Sequence, residues 1–298
     1  MKIQDRIIPG VRFHGSFSAT TEGVIAAVLR TLRPLLHVLG IGAYYDRYGK
    51  ELSFYSSRHD SRCYAGADGL RYLNIGSGGF VHKRWINYDY PGQSKFYQRL
   101  QGRAGIDFQP IDLRHSLPDC PVGSVHLIYM SHTMEHLDFE TAQRVIRHTS
   151  TMLAEDGCLR IVVPDVKRLF EYAKVSSAGI GGDDFLSPAE LAKLIYTPSL
   201  LADSDDVERL FKASGGFEDF AAGLVRLAEV NGASAQAFPP DYHLSFWTPE
   251  SLRAAAMAAG YSRFRVMLKN VSDYGPFQNQ WAFDTTVPEI SLYCDLVK

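Results

Sequence analysis

Leu70 to Gly79 read LRYLNIGSGG, an apolar strand running straight into a turn of small residues, and the acidic run WINYDY follows at Trp85 to Tyr90. This junction constrains the chain more than any other feature. A buried strand that ends in glycines lets the backbone approach a ligand closely, because Gly76, Gly78 and Gly79 lack a Cβ and tolerate positive φ. Asp89, at the end of the next apolar run, has a carboxylate able to accept two hydrogen bonds from a ribose diol. Together they imply a nucleotide cleft.

The spacing disfavours a dinucleotide. That fingerprint needs G-x-G-x-x-G opening a full helix, with the acidic residue about 20 positions on. Here the third glycine is missing and Asp89 comes early. Too few residues separate Gly79 from Trp85 for a crossover helix, so a single irregular turn is expected there.

This pattern resembles the class I S-adenosylmethionine-dependent methyltransferases, in which an L-N-I-G-x-G strand end is followed closely by G/R-W-x-N-x-D. The bacterial type 11 subgroup, associated with polysaccharides and small molecules, is the nearest in pattern. Ser77 stands where many of its members carry cysteine. The resemblance implies a Rossmann-like α/β fold: a seven-stranded methyltransferase sheet with its last strand antiparallel, plus an N-terminal helical arm and an inserted helical cap.

Patterning divides the chain into an arm (1–68), the first part of a core (69–174), a cap (175–240) and the rest of the core (241–298). The arm reads as an amphipathic helix, interrupted by Arg30, Arg33, Pro34 and His37, followed by a cluster of Tyr44, Tyr45, Tyr48, Phe54 and Tyr55. Packing of such an appendage onto its host is the expectation, ahead of a membrane-surface role. Core strands are predicted over 72–75, 85–88, 106–111, 125–130, 159–163, 261–268 and 290–297. The clearest helix carries Ala142, Val145, Ile146, Thr149, Met152 and Leu153 on one stripe, with Asp138 as N-cap and Gly157 at its end. Thr248, Pro249 and Gly260 bracket a later helix in the same way. Cap helices are expected around 188–196, 205–213 and 217–231, where ten acidic residues face four basic ones between 176 and 235.

Ligands of open α/β sheets sit beyond the carboxyl ends of the strands. By resemblance, Gly76, Ser77 and Gly78 face the amino-acid part of S-adenosylmethionine, Asp89 holds the ribose, Tyr90 flanks the adenine, Asp112 meets the adenine amino group, and Leu113 supplies a backbone donor. Ser131 ends the fourth strand, in SHTMEHL. Asp112 also reads as a simple turn residue.

Methyl transfer to a hydroxyl requires a base, and histidine is tuned for that role near neutral pH. His132, His136 and His243 are the candidates, with His136 equally readable as a residue that hydrogen-bonds the loop. H-x-x-E-H, formed by His132, Glu135 and His136, also matches an inverted zinc-peptidase spacing, but its position at a strand-to-helix junction argues for no metal site. The expected acceptor is a sugar, glycan or other small hydroxylated molecule. An N-methyltransferase, a nicotinamide-dependent oxidoreductase and a catalytically silent binding partner are the alternatives.

Net charge of −2 gives no sign of a nucleic-acid partner. No spanning segment is evident, and four scattered cysteines without C-x-x-C spacing suit reduced thiols in a cytoplasmic protein. Oligomeric state is not encoded in any visible pattern.

Overall fold

The computed structural model describes residues 11–14, 19–38, 41–46, 51–56, 69–91, 95–177, 204–235, 243–278, 283–284 and 291–298. The chain divides into two units, one of residues 1–68 with 270–285, the other of 69–269 with 286–298.

The first unit holds β1 (Val11–His14), α1 (Ala19–Val38), β2 (Ile41–Asp46) and β3 (Glu51–Ser56), with the strands in an antiparallel sheet of order β1-β3-β2. The arm is therefore not only helical. Tyr44, Tyr45, Phe54 and Tyr55 belong to β2 and β3, whose aromatic content suits strands. Tyr48 lies outside the described residues. A short 3-10 turn at Gly275–Gln278 buries Phe277, whose ring meets that of Phe283 edge-on at 5.6 Å.

The second unit is built on a seven-stranded sheet. Its strands are β4 (Arg71–Ile75), β5 (Ile86–Asp89), β6 (Asp107–Pro110), β7 (Val125–Ser131), β8 (Leu153–Pro164), β9 (Arg263–Met267) and β10 (Ser291–Val297). Their order is β6-β5-β4-β7-β8-β10-β9. Strands β4 to β8 pair in parallel, and β10 runs antiparallel to both β8 and β9. This is the Rossmann-like sheet with an antiparallel last strand that the sequence led us to expect. Strand order reverses beside β4, where the β4–β7 neighbour pair places the carboxyl ends of both strands at the switch point.

Helices α2 (Lys95–Gln101), α3 (Phe139–Met152) and α7 (Pro249–Ala258) accompany the sheet. Asp138 caps α3 by accepting from the Thr141 N–H at 2.8 Å, and Thr248 caps α7 in a reciprocal box with Ser251. Gly157 does not end α3. The helix stops at Met152 and the chain becomes β8 at once, leaving Gly157 inside the strand, where a Cβ would come within 2.9 Å of the Ala154 and His126 carbonyls. One core joins the inward faces of the sheet to Ala142, Val145 and Ile146 of α3 and to Leu252 and Ala256 of α7.

A second core lies on the helices that follow β8. Val166, Leu169, Phe170 and Ala173 of α4 (Val166–Ser177) form it with Val207 and Phe211 of α5 (Ser204–Ala213) and Phe217, Phe220 and Leu224 of α6 (Phe217–Ala235). Lys174 ties this core down: its ammonium donates to the Phe211 and Ser214 carbonyls at the end of α5 and lies 4.5 Å from the Phe211 ring centroid. The helix expected around 188–196 falls outside the described residues.

Candidate cofactor cradle and histidine cluster

Ile75 ends β4, and the chain turns at once. The N–H groups of Gly76 and Ser77 both donate to the Tyr88 carbonyl of β5, at 2.8 and 3.0 Å. Gly76 sits at φ +72°, and a Cβ there would lie 2.0 Å from Thr133 Oγ1, so glycine is required by both conformation and space. Gly78 also has positive φ, +50°, but a Cβ there would meet nothing within 4 Å. The first glycine thus serves the close approach of the loop after β7. The second borders open space.

Residues 77–85 form the expected irregular turn, held by two buried asparagines that the motif contains and that sequence reasoning passed over. Asn74 donates to the Phe80 carbonyl and to Asn87 Oδ1, at 2.9 and 3.1 Å. Asn87 Oδ1 accepts the His82 N–H at 3.0 Å, and its amide nitrogen donates to the carbonyls of His82, Trp85 and Asp107. The N of L-N-I-G and the N of W-x-N-x-D are therefore the clamp that lets a short loop replace a crossover helix.

Asp89, 6% exposed, points its carboxylate back at this turn. Gly78 N–H donates to Oδ2 at 2.6 Å and Tyr90 N–H to Oδ1 at 2.7 Å. Burial pushes the Asp89 carboxyl above its usual range, while the two N–H groups and nearby His136 oppose the shift. Each oxygen takes one backbone donor and keeps a lone pair, so the carboxylate can still receive a vicinal diol. Ser77 Oγ is buried and has no hydrogen-bond partner.

Asp112 is less available than the sequence led us to expect. Arg114 grips it with its backbone N–H and with Nε and Nη2, at 3.0, 2.9 and 2.7 Å, and that guanidinium lies 5.5 Å from the centroid of the Tyr90 ring. Burial opposes ionisation of Asp112, but Arg114 outweighs it and holds the carboxyl below its usual range. The Leu113 carbonyl accepts from Arg144 of α3 at 2.9 Å. Arg114 is a member of this wall that the sequence reading did not single out.

Ser131 ends β7, and its carbonyl accepts from Thr133 Oγ1 at 3.2 Å. His132 then adopts φ +49°, and Met134–His136 form a single 3-10 turn. The helix that H-x-x-E-H would need for a zinc-peptidase site is absent here. His132 Nδ1 lies 2.9 Å from Glu135 Oε1, and its Nε2 lies 3.3 Å from Ser291 Oγ. Glu135 is 1% exposed. Its Oε1 meets His132 Nδ1 without hydrogen-bond alignment, and neither carboxylate oxygen has a hydrogen-bond partner. Burial would raise the Glu135 carboxyl, but the surrounding imidazoles of His132, His136 and His243 override it and bring it down to about 2.

His243 reaches this turn because its loop is bonded to it. The N–H groups of Leu244 and Ser245 both donate to the Glu135 carbonyl, Ser245 Oγ donates to the Met134 carbonyl at 3.0 Å, and Trp247 Nε1 donates to Ser245 Oγ at 2.8 Å. The His136 and His243 rings meet edge-on with centroids 4.9 Å apart. A crevice walled by Pro164, Val166, Phe246 and Trp247 opens onto Glu135 and His243. The structure therefore brings all three candidate histidines around one buried carboxylate.

No family model matches the chain, and no curated protein matches it. Among solved structures, it is similar to a SAM-dependent methyltransferase from Archaeoglobus fulgidus at 12% identity, over 93% of this chain and 94% of that one, with a TM-score of 0.39. It is also similar to an S-adenosylmethionine-dependent methyltransferase from Mesorhizobium loti at 13% identity, over 81% and 97%, with a TM-score of 0.39. A third, the CurJ carbon methyltransferase, shares 14% identity over 78% of this chain and 49% of that one, with a TM-score of 0.38.

Proposed function

We propose that this chain is a methyltransferase that uses S-adenosylmethionine, yields S-adenosylhomocysteine and methylates a hydroxyl of a sugar, glycan or other small acceptor. The observation that carries the reading is the cradle at the switch point: Asp89, with one backbone N–H on each oxygen and acceptor capacity left for a diol, faces a glycine turn. The turn fits the cofactor in two further respects. Ser77 Oγ is a buried polar atom awaiting a partner, and Gly78 borders space that a side chain would otherwise enter. Gly76, Ser77 and Gly78 would hold the amino-acid part, Asp89 the ribose, and Tyr90, Asp112 and Leu113 the adenine, with Ser131 beside them at the end of β7.

When bound, the cofactor supplies a sulfonium methyl already activated toward a nucleophile. The protein's share is to align the acceptor oxygen, exclude water and remove one proton as the carbon–sulfur bond breaks and the carbon–oxygen bond forms. Within the His132, His136 and His243 cluster we assign the base to His132. Glu135 Oε1 lies 2.9 Å from Nδ1 and favours the tautomer with its proton on that side, which would leave the lone pair on Nε2 for proton removal. Among the described residues, Cys120, Cys158 and Cys294 are buried and form no disulfide, which supports a cytoplasmic setting. Among the described residues, no helix is long and apolar enough to cross a membrane.

Calorimetric titration with S-adenosylmethionine and S-adenosylhomocysteine tests the cradle, and absence of binding to purified protein overturns the reading. Incubation with isotope-labelled methyl donor and fractionated cell extract, followed by mass spectrometry, identifies the acceptor. Turnover in His132→Ala that matches the unsubstituted chain would remove the base and point to an amine acceptor.

A further inference from the structure

We propose that Glu135, His136 and His243 form a binding site for one divalent first-row transition-metal ion. One donor atom from each residue lies within 4.8 Å of the other two. Two imidazoles and a carboxylate make a borderline-soft donor set that suits zinc, cobalt or iron(II), and three protein ligands leave a position open for water or an acceptor oxygen. Metal–ligand distances of about 2.1 Å bring any two donors to within about 4.2 Å of each other, so small side-chain rotations complete the site.

The second observation is Glu135 itself. Its carboxylate, 1% exposed, has no hydrogen bond to either oxygen and is met only by imidazoles on separate segments, so an ion held between it and two of them would satisfy it more fully. His132 approaches one oxygen only. The backbone around the cluster is fixed in advance, since the Leu244 and Ser245 N–H groups and Ser245 Oγ bond the His243 loop to the Met134–His136 turn. A preformed backbone with an unsatisfied carboxylate at its centre is the arrangement expected of a ligand site. The H-x-x-E-H spacing does not define this donor set, because its third member, His243, comes from a distant loop. His132 is not one of the three donors, so its assignment as base is compatible with an occupied site.

The test uses the full chain stripped with chelator, titrated with Zn²⁺ by calorimetry and with Co²⁺ by visible absorption. Neither readout depends on S-adenosylmethionine, so failure here and failure of the methyltransferase reading are distinguishable. One ion per chain is expected, with a Co²⁺ ligand-field band. His136→Ala and His243→Ala should each weaken binding by at least about 10–100-fold. His115→Ala, which removes an exposed imidazole, should leave the affinity unchanged. If an alanine variant fails to fold by circular dichroism, His243→Gln keeps the side-chain volume and should show the same loss. Absence of a stoichiometric ion, or equal affinity in the folded His243 variant, overturns the proposal.

Discussion

Two buried charge clusters lie in the second unit, and they are solved in opposite ways. Arg160 on β8 faces Asp295 on β10 across the antiparallel register, with Nη1 2.6 Å from Oδ1. Arg160 also donates to the Leu268 carbonyl at 3.0 Å and lies 5.6 Å from the Tyr293 ring centroid. Glu135 is as deeply buried, yet its oxygens have no hydrogen bond and its compensating imidazoles are only partly desolvated or lie on separate segments. The first cluster is closed and serves the fold. The second is open, and a buried polar group left open calls for an explanation, which the proposed metal ion would supply.

The largest effect that would break this contrast belongs to the closed pair. Arg160→Ala leaves Asp295 buried without its partner and should cost about 3–5 kcal/mol of stability in chemical denaturation, whereas Arg160→Met with Asp295→Leu should recover most of the loss. Equal losses in the single and double variants would contradict the assignment. Glu135→Gln should differ in kind, with a stability loss smaller than that of Arg160→Ala and methyl transfer slowed about 100-fold, because the proposed base would lose its orienting carboxylate. A stability loss as large as that of Arg160→Ala would make Glu135 structural and erase the distinction.

Asp89 sharpens the comparison from the cofactor side. Asp89→Asn should weaken S-adenosylmethionine binding by about 1.5–3 kcal/mol, read by calorimetry. Its carboxyl is raised by burial, so it gains a proton at a pH above its ordinary 3.8. The protonated group accepts fewer hydrogen bonds. Affinity in the unsubstituted chain should therefore fall as pH drops through that range, and the fall should be absent in Asp89→Asn. The smallest effect is expected where a polar pair is closed but uncharged: Tyr261 Oη and Thr149 Oγ1 are 2.9 Å apart between the chain after α7 and α3, and Tyr261→Phe should cost about 1 kcal/mol.

The parts legible in the sequence were those fixed by neighbours in the chain. Asp138 and Thr248 cap helices because a cap bonds to an N–H three residues on, and the Gly76 turn is written in its own residues. The α3 boundary escaped because Leu153 continues the helical stripe, yet its extended backbone opens β8. The sheet of the arm escaped because aromatic clustering carries no direction; only strand pairing reveals it. Asn74 and Asn87 were visible as letters of a motif, but their role depends on side-chain bonds between two strands and a loop. His243 was named on its own merits, while its meeting with Glu135 needed the backbone bonds of Leu244 and Ser245. Arg114, which occupies the Asp112 carboxylate, was missed because the pair is set by a turn geometry that several residue types would satisfy.

His132 holds a left-handed backbone, a conformation that costs a non-glycine residue about 1–3 kcal/mol and persists where the surroundings impose it. The position asks first for a bend and only then for an imidazole. Glycine and asparagine are the two residues that accept the bend most cheaply. For the same reason His132→Asn is a fairer substitution than His132→Ala for separating proton transfer from loop shape.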